Sequence, residues 1–249
     1  MAARSNTWMR RHARRLAVLA CLTPAALSAQ ASGGARDAAF LFAYRAKPDM
    51  DAAFAAGYRR HLEWHAARGD SLAWLAWTVI DGPAAGTFVD GAFGITFKAF
   101  DDRVDQRGDI EDASRNVTAF AVPTGRETLR VRRDLSSSAR LESAKASRMQ
   151  KVVRLSGKPG SEAAIEGVLK RHVSSGAKTL DYAVYERLSG GDHPAYTVVV
   201  QFDAWADLEP RDADASLAII RAMGAHLLRA ESETWVYRPD LTYIPGARK

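Results

Sequence analysis

The sequence has very little cysteine. Cys21 is the only one among 249 residues, and it lies in a segment that we expect to be removed on export. The remaining chain then forms no disulfide and offers no thiolate, which excludes cysteine proteases and zinc–thiolate sites. Proline is sparse at 9 residues and glycine, at 18, is no more than ordinary, which excludes collagen and low-complexity disorder.

Long apolar runs are scarce too, and the clearest one lies near the start of the chain. Five arginines precede it, the apolar stretch spans 16–27, and Ala29 provides a small residue before a cleavage point. We therefore predict that residues 1–29 are a cleaved signal peptide and that the mature protein is periplasmic or secreted. The arginine pairs at 10–11 and 14–15 leave the secretory and twin-arginine routes both open.

An excess of basic charge is absent from the mature chain. The full sequence has 35 basic and 29 acidic residues, a formal charge of +6, but the predicted signal peptide takes away five arginines and no acid. The balance becomes 30 against 29, which excludes a basic footprint for nucleic acid. No apolar run after residue 29 approaches the roughly 20 residues of a membrane-spanning helix.

An internal repeat organises the mature chain. Four blocks match in the same order in the two halves, which indicates duplication. The matched blocks are Ala46–Asp49 with Gly157–Gly160, Tyr58–Leu62 with Leu169–Val173, Trp74 and Trp77 with Tyr182 and Tyr185, and Glu127–Leu135 with Glu233–Leu241. We predict one repeat over 38–135, a linker over 136–148, a second repeat over 149–241 and a tail over 242–249.

Each repeat has the hydrophobic pattern of the order β-α-β-β-α-β. Alternating residues predict strands, and apolar residues at a spacing of 3.6 predict helices. In the first repeat the predicted strands are 40–45, 72–80, 88–97 and 127–132, with helices around 54–65 and 110–120. In the second repeat they are 151–155, 180–188, 196–202 and 233–237, with helices around 165–173 and 213–230.

This order, given twice, resembles the dimeric α/β-barrel superfamily. The resemblance implies an α+β fold in which two tandem ferredoxin-like (βαββαβ) repeats pack sheet to sheet as a pseudo-dimeric α/β barrel. It also implies a monomer with an internal pseudo-dimer or a homo-oligomer. The superfamily includes cofactor-free oxygenases, haem enzymes of the chlorite dismutase and dye-decolourising peroxidase type, and proteins with no assigned activity, so the fold alone names no reaction.

Two histidines occupy equivalent positions on the apolar faces of the first helix in each repeat. His61 and His172 could bind a ligand, act as bases or pack as hydrogen-bonded core residues. His65 follows His61 at the spacing by which a helix presents two nitrogens to one metal ion. The second repeat has Gly176 at the matching place and no carboxylate completes a recognised pattern, so the sequence predicts no metal site.

Haem is the cofactor that remains open. An axial histidine from the second repeat would be His172 or His226, since these are the helical candidates there. Nothing else in the sequence is typical of a haem protein. We therefore predict no cofactor, with haem as an alternative.

Paired aromatic residues on the second strand of each repeat indicate a pocket. Trp74 and Trp77, like Tyr182 and Tyr185, are three residues apart, so one ring of each pair faces the helices and the other faces the interior between the sheets. Such rings suit a flat or apolar small molecule, although plain core packing accounts for them too. The list of candidate ligand-binding residues adds two strand arginines and the helix histidines: Arg45, Arg154, His61, His65 and His172.

The sequence contains no phosphate loop, nucleophile elbow or Ser-His-Asp order, so no catalytic residue is assigned. We expect an exported barrel that binds a small apolar or aromatic molecule or acts as a cofactor-free oxygenase. The alternatives are a non-catalytic structural or interaction module of the envelope, and a haem-binding enzyme. The hypotheses separate on whether Trp77, Tyr185, Arg45 and the two equivalent histidines converge on one cavity.

Overall fold

The computed structural model describes residues 35–138, 140–175, 180–209 and 215–247. The predicted signal peptide lies outside these residues, as does Gly176. All of the described elements belong to one compact unit, residues 34–249. None of the helices in these ranges is long and apolar enough to cross a membrane.

Eight strands and their helices follow the predicted order in both halves. The first half contains β1 (Ala38–Ala46), α1 (Asp51–Ala67), β2 (Leu75–Asp81), β3 (Phe88–Ile95), the short α2 (Phe97–Asp101), α3 (Gln106–Asn116) and β4 (Ala121–Val131). The second half contains β5 (Met149–Gly157), α4 (Glu162–Ser174), β6 (Tyr182–Ser189), β7 (Ala195–Phe202), α5 (Ala215–Met223) and β8 (Leu227–Tyr237).

The strands form one closed antiparallel barrel with the order β1-β3-β2-β8-β5-β7-β6-β4. Each repeat contributes a four-stranded sheet, and the two sheets join where β2 pairs with β8 and β4 pairs with β6. Closure leaves no edge strand unpaired. The predicted class, two ferredoxin-like repeats that form a pseudo-dimeric barrel within one chain, is confirmed.

The alternation of side chains along the strands divides the core into three layers. Along β1, Ala39 and Leu41 face the barrel interior, while Phe40 packs against helices. The interior layer includes Leu75, Trp77, Val89, Phe93, Leu129, Val152, Tyr185, Val199 and Trp235. One outer layer lies under α1 and a second under α4 and α5. The sheet therefore separates the interior from any site beneath a helix.

The last helix is much shorter than predicted. The sequence predicts a helix over 213–230 and a strand over 233–237, whereas α5 ends at Met223 and β8 already begins at Leu227. Gly224 follows the helix directly and favours its end. The backbone of residues 227–232 instead pairs with β5, so strand pairing outweighs the apolar helical spacing.

The second helix of the first repeat also differs from the prediction. Instead of spanning 110–120, α3 runs from Gln106 to Asn116. Asp105 caps it, because its carboxylate accepts a hydrogen bond from the Gly108 amide at 3.0 Å. Ile110, which marks the predicted apolar face, is 65% exposed.

Strand boundaries in the first repeat differ for related reasons. β4 begins at Ala121, six residues before the predicted start, because residues 121–126 continue the pairing with β1. β2 begins only at Leu75, and Trp74 forms an isolated bridge with Tyr243. The predicted tail is thus attached to the start of the strand by backbone hydrogen bonds of 2.8 and 2.9 Å.

Candidate functional site

The strand aromatics lie on opposite faces of the sheet, as their odd spacing requires. Trp77 and Tyr185 are fully buried inside the barrel, and both contact the ring of Phe93 at a centroid distance of 5.8 Å. Trp74 and Tyr182 belong to the outer layers. Only one ring of each pair therefore faces the interior, where it is packed in the core.

A cavity of about 360 Å³ opens at one end of the barrel, and we call it the mouth cavity. Its apolar wall includes Leu41, Ala43 and Val89 from β1 and β3. Its polar wall contains five charged residues: Arg45, Arg126, Glu127, Arg154 and Glu233. The volume falls within the range of small-molecule sites, and apolar walls with a few polar groups are typical of them.

An ion network forms the polar wall. Arg154 donates to the two carboxylate oxygens of Glu127 at 2.7 and 2.8 Å, and Arg187 forms an ion pair with the same carboxylate at 2.9 Å. Glu233 accepts a hydrogen bond from the indole of Trp235 at 2.8 Å. Burial disfavours the charged Arg154 guanidinium, but Glu127 and Glu233 outweigh burial and raise its pKa.

Arg45 differs from Arg154 in its partners. Its guanidinium donates to the Ala85 carbonyl at 3.2 Å and to the Thr87 hydroxyl at 3.1 Å. Within the described ranges, no carboxylate lies within ion-pair distance of it. Arg45 is therefore an exposed cation at the mouth cavity, and neutral acceptors hold its guanidinium in place.

Several polar atoms inside the barrel have no protein partner. They include Nε1 of Trp77, the hydroxyl of Tyr185, Oε1 of Gln150 and Oγ1 of Thr197. Burial raises the pKa of Tyr185 well above its usual range, with a smaller contribution from Glu142, so the phenol remains a neutral donor. Because buried polar groups are normally paired, these atoms suit a polar ligand group or water.

The histidines do not join the mouth cavity. His61 and His65 lie on the buried face of α1, on the outer side of the sheet, and His172 is half-buried on α4 beside the ring of Tyr182. The criterion that separates the hypotheses, convergence of both equivalent histidines with Trp77, Tyr185 and Arg45 on one cavity, is therefore not met, because α1 and α4 cover the outside of the barrel. The enzyme hypothesis loses the support of these imidazoles.

Acidic partners surround the two α1 histidines. His61 Nδ1 lies 2.8 Å from Oδ2 of Asp112, and His65 Nδ1 lies 2.8 Å from Oδ2 of Asp70. In the second contact the carboxylate lies off the direction of a ring N–H, so the two groups are in close electrostatic contact without a hydrogen bond. Burial and the nearby His65 lower the pKa of His61, and Asp112 opposes this shift.

Several acidic side chains of the two sites could not be identified from the sequence. Asp112 has the pattern of a turn or cap residue, Asp109 lies on another helix than its histidine partners, and Asp70 lies in the turn after α1, where an acid is unremarkable. Glu127 and Glu233 did leave a signal, since they are aligned with each other in the internal repeat. Equivalent carboxylates on the closing strands both reach the interior.

The second repeat does not fit a haem group in its described part. A haem needs an axial ligand beside an apolar slot. The layer under α4 is instead filled by side chains that are at most 6% exposed: Ile165, Val168, Leu169, Tyr182, Val184, Val198, Ile219 and Met223. His226 lies in a single helical turn between α5 and β8, so neither candidate ligand faces a slot.

Solved structures identify the architecture. A "putative monooxygenase" from Lactobacillus acidophilus is 13% identical, covers 85% of this chain and 98% of its own, and superposes with a TM-score of 0.55. The chain has the dimeric α/β-barrel fold. An "anthrone oxidase-like protein" is similar at 13% identity, 86% and 95% coverage and a TM-score of 0.54.

A chlorite dismutase is also similar in fold. A mutant chlorite dismutase from Candidatus Nitrospira defluvii is 9% identical, covers 83% of this chain and 93% of its own, and has a TM-score of 0.55. No protein-family model matches the sequence, and no curated protein matches it. At such identities the likeness establishes the α/β barrel and leaves the activity to the site itself.

Proposed function

We propose that this barrel binds a small, flat organic anion in its mouth cavity. The observation that carries the proposal is the position of Arg45, a cation without a carboxylate partner among the described residues, beside the apolar wall of Leu41 and Val89. A ligand with a carboxylate or phenolate at one end and an apolar body would match both surfaces.

The charge of the cavity supports an anionic ligand. Its lining contains three arginines and two glutamates, and Arg187 adds a further positive charge on Glu127. The two glutamates are already engaged by Arg154, Arg187 and Trp235. The positive charge that remains is that of Arg45 and Arg126.

Oxygenation without a cofactor is the reaction class that we propose to test. Two proteins of the same fold carry monooxygenase or anthrone oxidase in their descriptions. An organic anion held against Arg45 in an apolar cavity is the electron-rich type of substrate that such a reaction needs. An oxygen electrode would report uptake on addition of a bound ligand, and the absence of uptake would limit the protein to binding.

The direct test of binding is native mass spectrometry on the mature protein, exported in its own host and purified without added cofactor. We expect a retained organic molecule in the wild-type protein and none in Gly125→Phe. A Cβ at Gly125 would meet only Ala43, at 3.8 Å, so the phenyl ring should fill the cavity without displacing backbone. A mass that matches the bare chain in both proteins would favour a structural or interaction module instead.

We also propose that the protein acts in the periplasm or outside the cell. The support is the sequence of residues 1–29, with its basic start, apolar stretch and Ala29. N-terminal sequencing of the exported protein should begin at Gln30. A mature protein that retains Met1 in the cytoplasm would contradict the proposal.

A further inference from the structure

Three ligand-type atoms meet between α1 and α3, outside the barrel and away from the mouth cavity. His61 Nε2 and His65 Nε2 are 3.3 Å apart, and Oδ1 of Asp109 lies 3.5 Å from the first and 3.6 Å from the second. These three side chains form a nearly equilateral triangle of a size that one metal ion could bridge.

The carboxylate beside Nδ1 of each imidazole determines whether Nε2 carries a proton or a lone pair. His61 Nδ1 faces Asp112, and His65 Nδ1 faces Asp70, each at 2.8 Å. A carboxylate at Nδ1 favours the tautomer with the proton there. Both Nε2 atoms then present lone pairs, toward each other and toward the Asp109 carboxylate, an arrangement that a cation would stabilise.

The distances fit a transition-metal ion. Ligand atoms at about 2.0–2.1 Å from a tetrahedral zinc ion lie about 3.4 Å from one another. Carboxylates behind metal-bound histidines are also typical of such sites, where they orient the rings. We propose that His61, His65 and Asp109 bind one divalent transition-metal ion of the zinc class, with Asp70 and Asp112 as the supporting carboxylates.

The packing of α3 suggests what the ion does. Asp112 is the only buried residue of this helix, and Ile110 points to solvent, so α3 has little apolar surface with which to hold its place. Its contacts with α1 are polar: Asp112 and Asp109 with the histidines, and Asn116 with Arg60 at 2.9 Å. The ion would fasten α3 to α1 and thereby to the barrel.

The surroundings leave the ion a nearly closed site. The side chains of His61 and His65 are 10% and 5% exposed, and that of Asp109 is 17% exposed. Trp64 lies against both imidazoles, with ring centroids 6.2 and 5.2 Å away. Arg103 lies 3.5 Å from Oδ2 of Asp109, which leaves Oδ1 for the ion. With three protein ligands, a water molecule would take the fourth tetrahedral position of the ion.

The test measures metal directly on the full mature protein. Protein stripped with chelator and dialysed would be titrated with Zn²⁺ by calorimetry and with Co²⁺ by visible absorption. We expect one ion per chain and a Co²⁺ spectrum of low-coordinate nitrogen and oxygen ligands. Binding of neither ion would overturn the proposal, and the two imidazoles would then share a proton instead.

Variants separate the site from adventitious binding. His65→Ala and Asp109→Asn should abolish the stoichiometric ion, whereas Asp70→Asn and Asp112→Asn should weaken it by about 10- to 100-fold. His172→Ala is the matched control, because His172 occupies the equivalent helix position and should leave metal binding unchanged. Equal loss in His172→Ala, or full binding by the folded Asp109→Asn protein, would contradict the assignment.

Hydrogen exchange gives a readout that does not need the variants. Amides of α3 (Gln106–Asn116) should exchange at least severalfold more slowly with Zn²⁺ than with chelator, and those of α4 should not change. Equal exchange of α3 in both conditions would contradict the fastening role.

Discussion

Glu127 and Arg154 come from different repeats and meet inside the barrel, where one guanidinium nitrogen lies 2.7 and 2.8 Å from the two carboxylate oxygens. Glu127 lies near the middle of β4, and Arg154 lies in β5. Arg187 forms an ion pair with the same carboxylate at 2.9 Å. One acid therefore compensates two arginines, and it forms the polar wall of the mouth cavity.

Glu127→Gln should destabilise the fold strongly. Breaking a largely buried pair leaves uncompensated charge, and we expect the free energy of unfolding to fall by about 3 kcal/mol. Urea unfolding would measure it. Glu111→Gln, which breaks an exposed pair with Arg107, is the control and should cost less than about 1 kcal/mol. Equal effects of the two changes would show that the network contributes little.

Gly57→Ala should separate α1 from α3. A Cβ at Gly57 would overlap the carbonyl oxygen of Asn116 and press on the ring of Phe120. We expect a loss of about 1–3 kcal/mol in the free energy of unfolding, together with weaker Zn²⁺ binding.

Gly167→Ala on α4 provides the matched control for this change. A Cβ there would meet only the mobile end of Arg171, at 3.4 Å. Alanine should therefore be neutral or stabilise the protein by up to about 1 kcal/mol, as helix propensity predicts. If the midpoint of thermal unfolding fell equally in both variants, the close approach of the helices at Gly57 would not be the cause of the destabilisation.

Asp90 should make the protein less stable as the pH rises. Burial raises its pKa to about 7, although the hydroxyl of Tyr58 donates to it at 2.5 Å and partly opposes the shift. Between the unfolded value of 3.8 and about 7, the folded state keeps a proton that the unfolded state has lost. The free energy of unfolding therefore falls across that range.

Asp90→Asn removes this titration. The free energy of unfolding of the variant, relative to that of the wild type, should increase by about 2–4 kcal/mol between pH 5 and pH 8. Urea unfolding with chelator present would measure it. The exposed Asp101→Asn serves as the control. A constant difference between Asp90→Asn and the wild type across this range would mean that Asp90 is ionised in the fold.

The sequence predicts the architecture because the hydrophobic periodicity of each segment indicates whether it forms a strand or a helix. Alternating strands and the spacing of Trp74 from Trp77 are local features, the duplication shows each pattern twice, and the structure follows all three. The errors lie where tertiary pairing outweighs local spacing. Residues 227–232 have an apolar helical period but join β5 as strand, and α3 is held by polar contacts that no apolar pattern marks.

The sites could be predicted only in part. Arg45 and Arg154 do line one cavity with Glu127, since strand register places them there. The acids around His61 come from another helix, so sequence spacing cannot pair Asp109 or Asp112 with it. His61 and His172 are equivalent in the internal repeat. Within the described residues, however, only His61 has carboxylate neighbours.

Calorimetric titration with 2-naphthoate tests the central claim most directly, because this probe combines a flat apolar body with one carboxylate. We expect one site per chain, with binding weakened about tenfold or more in Arg45→Ala and lost in Gly125→Phe. Arg171→Ala, an exposed arginine on α4, should bind as the wild type does. Failure of the wild-type protein to bind, or undiminished binding by Gly125→Phe, would contradict a ligand site in the mouth cavity.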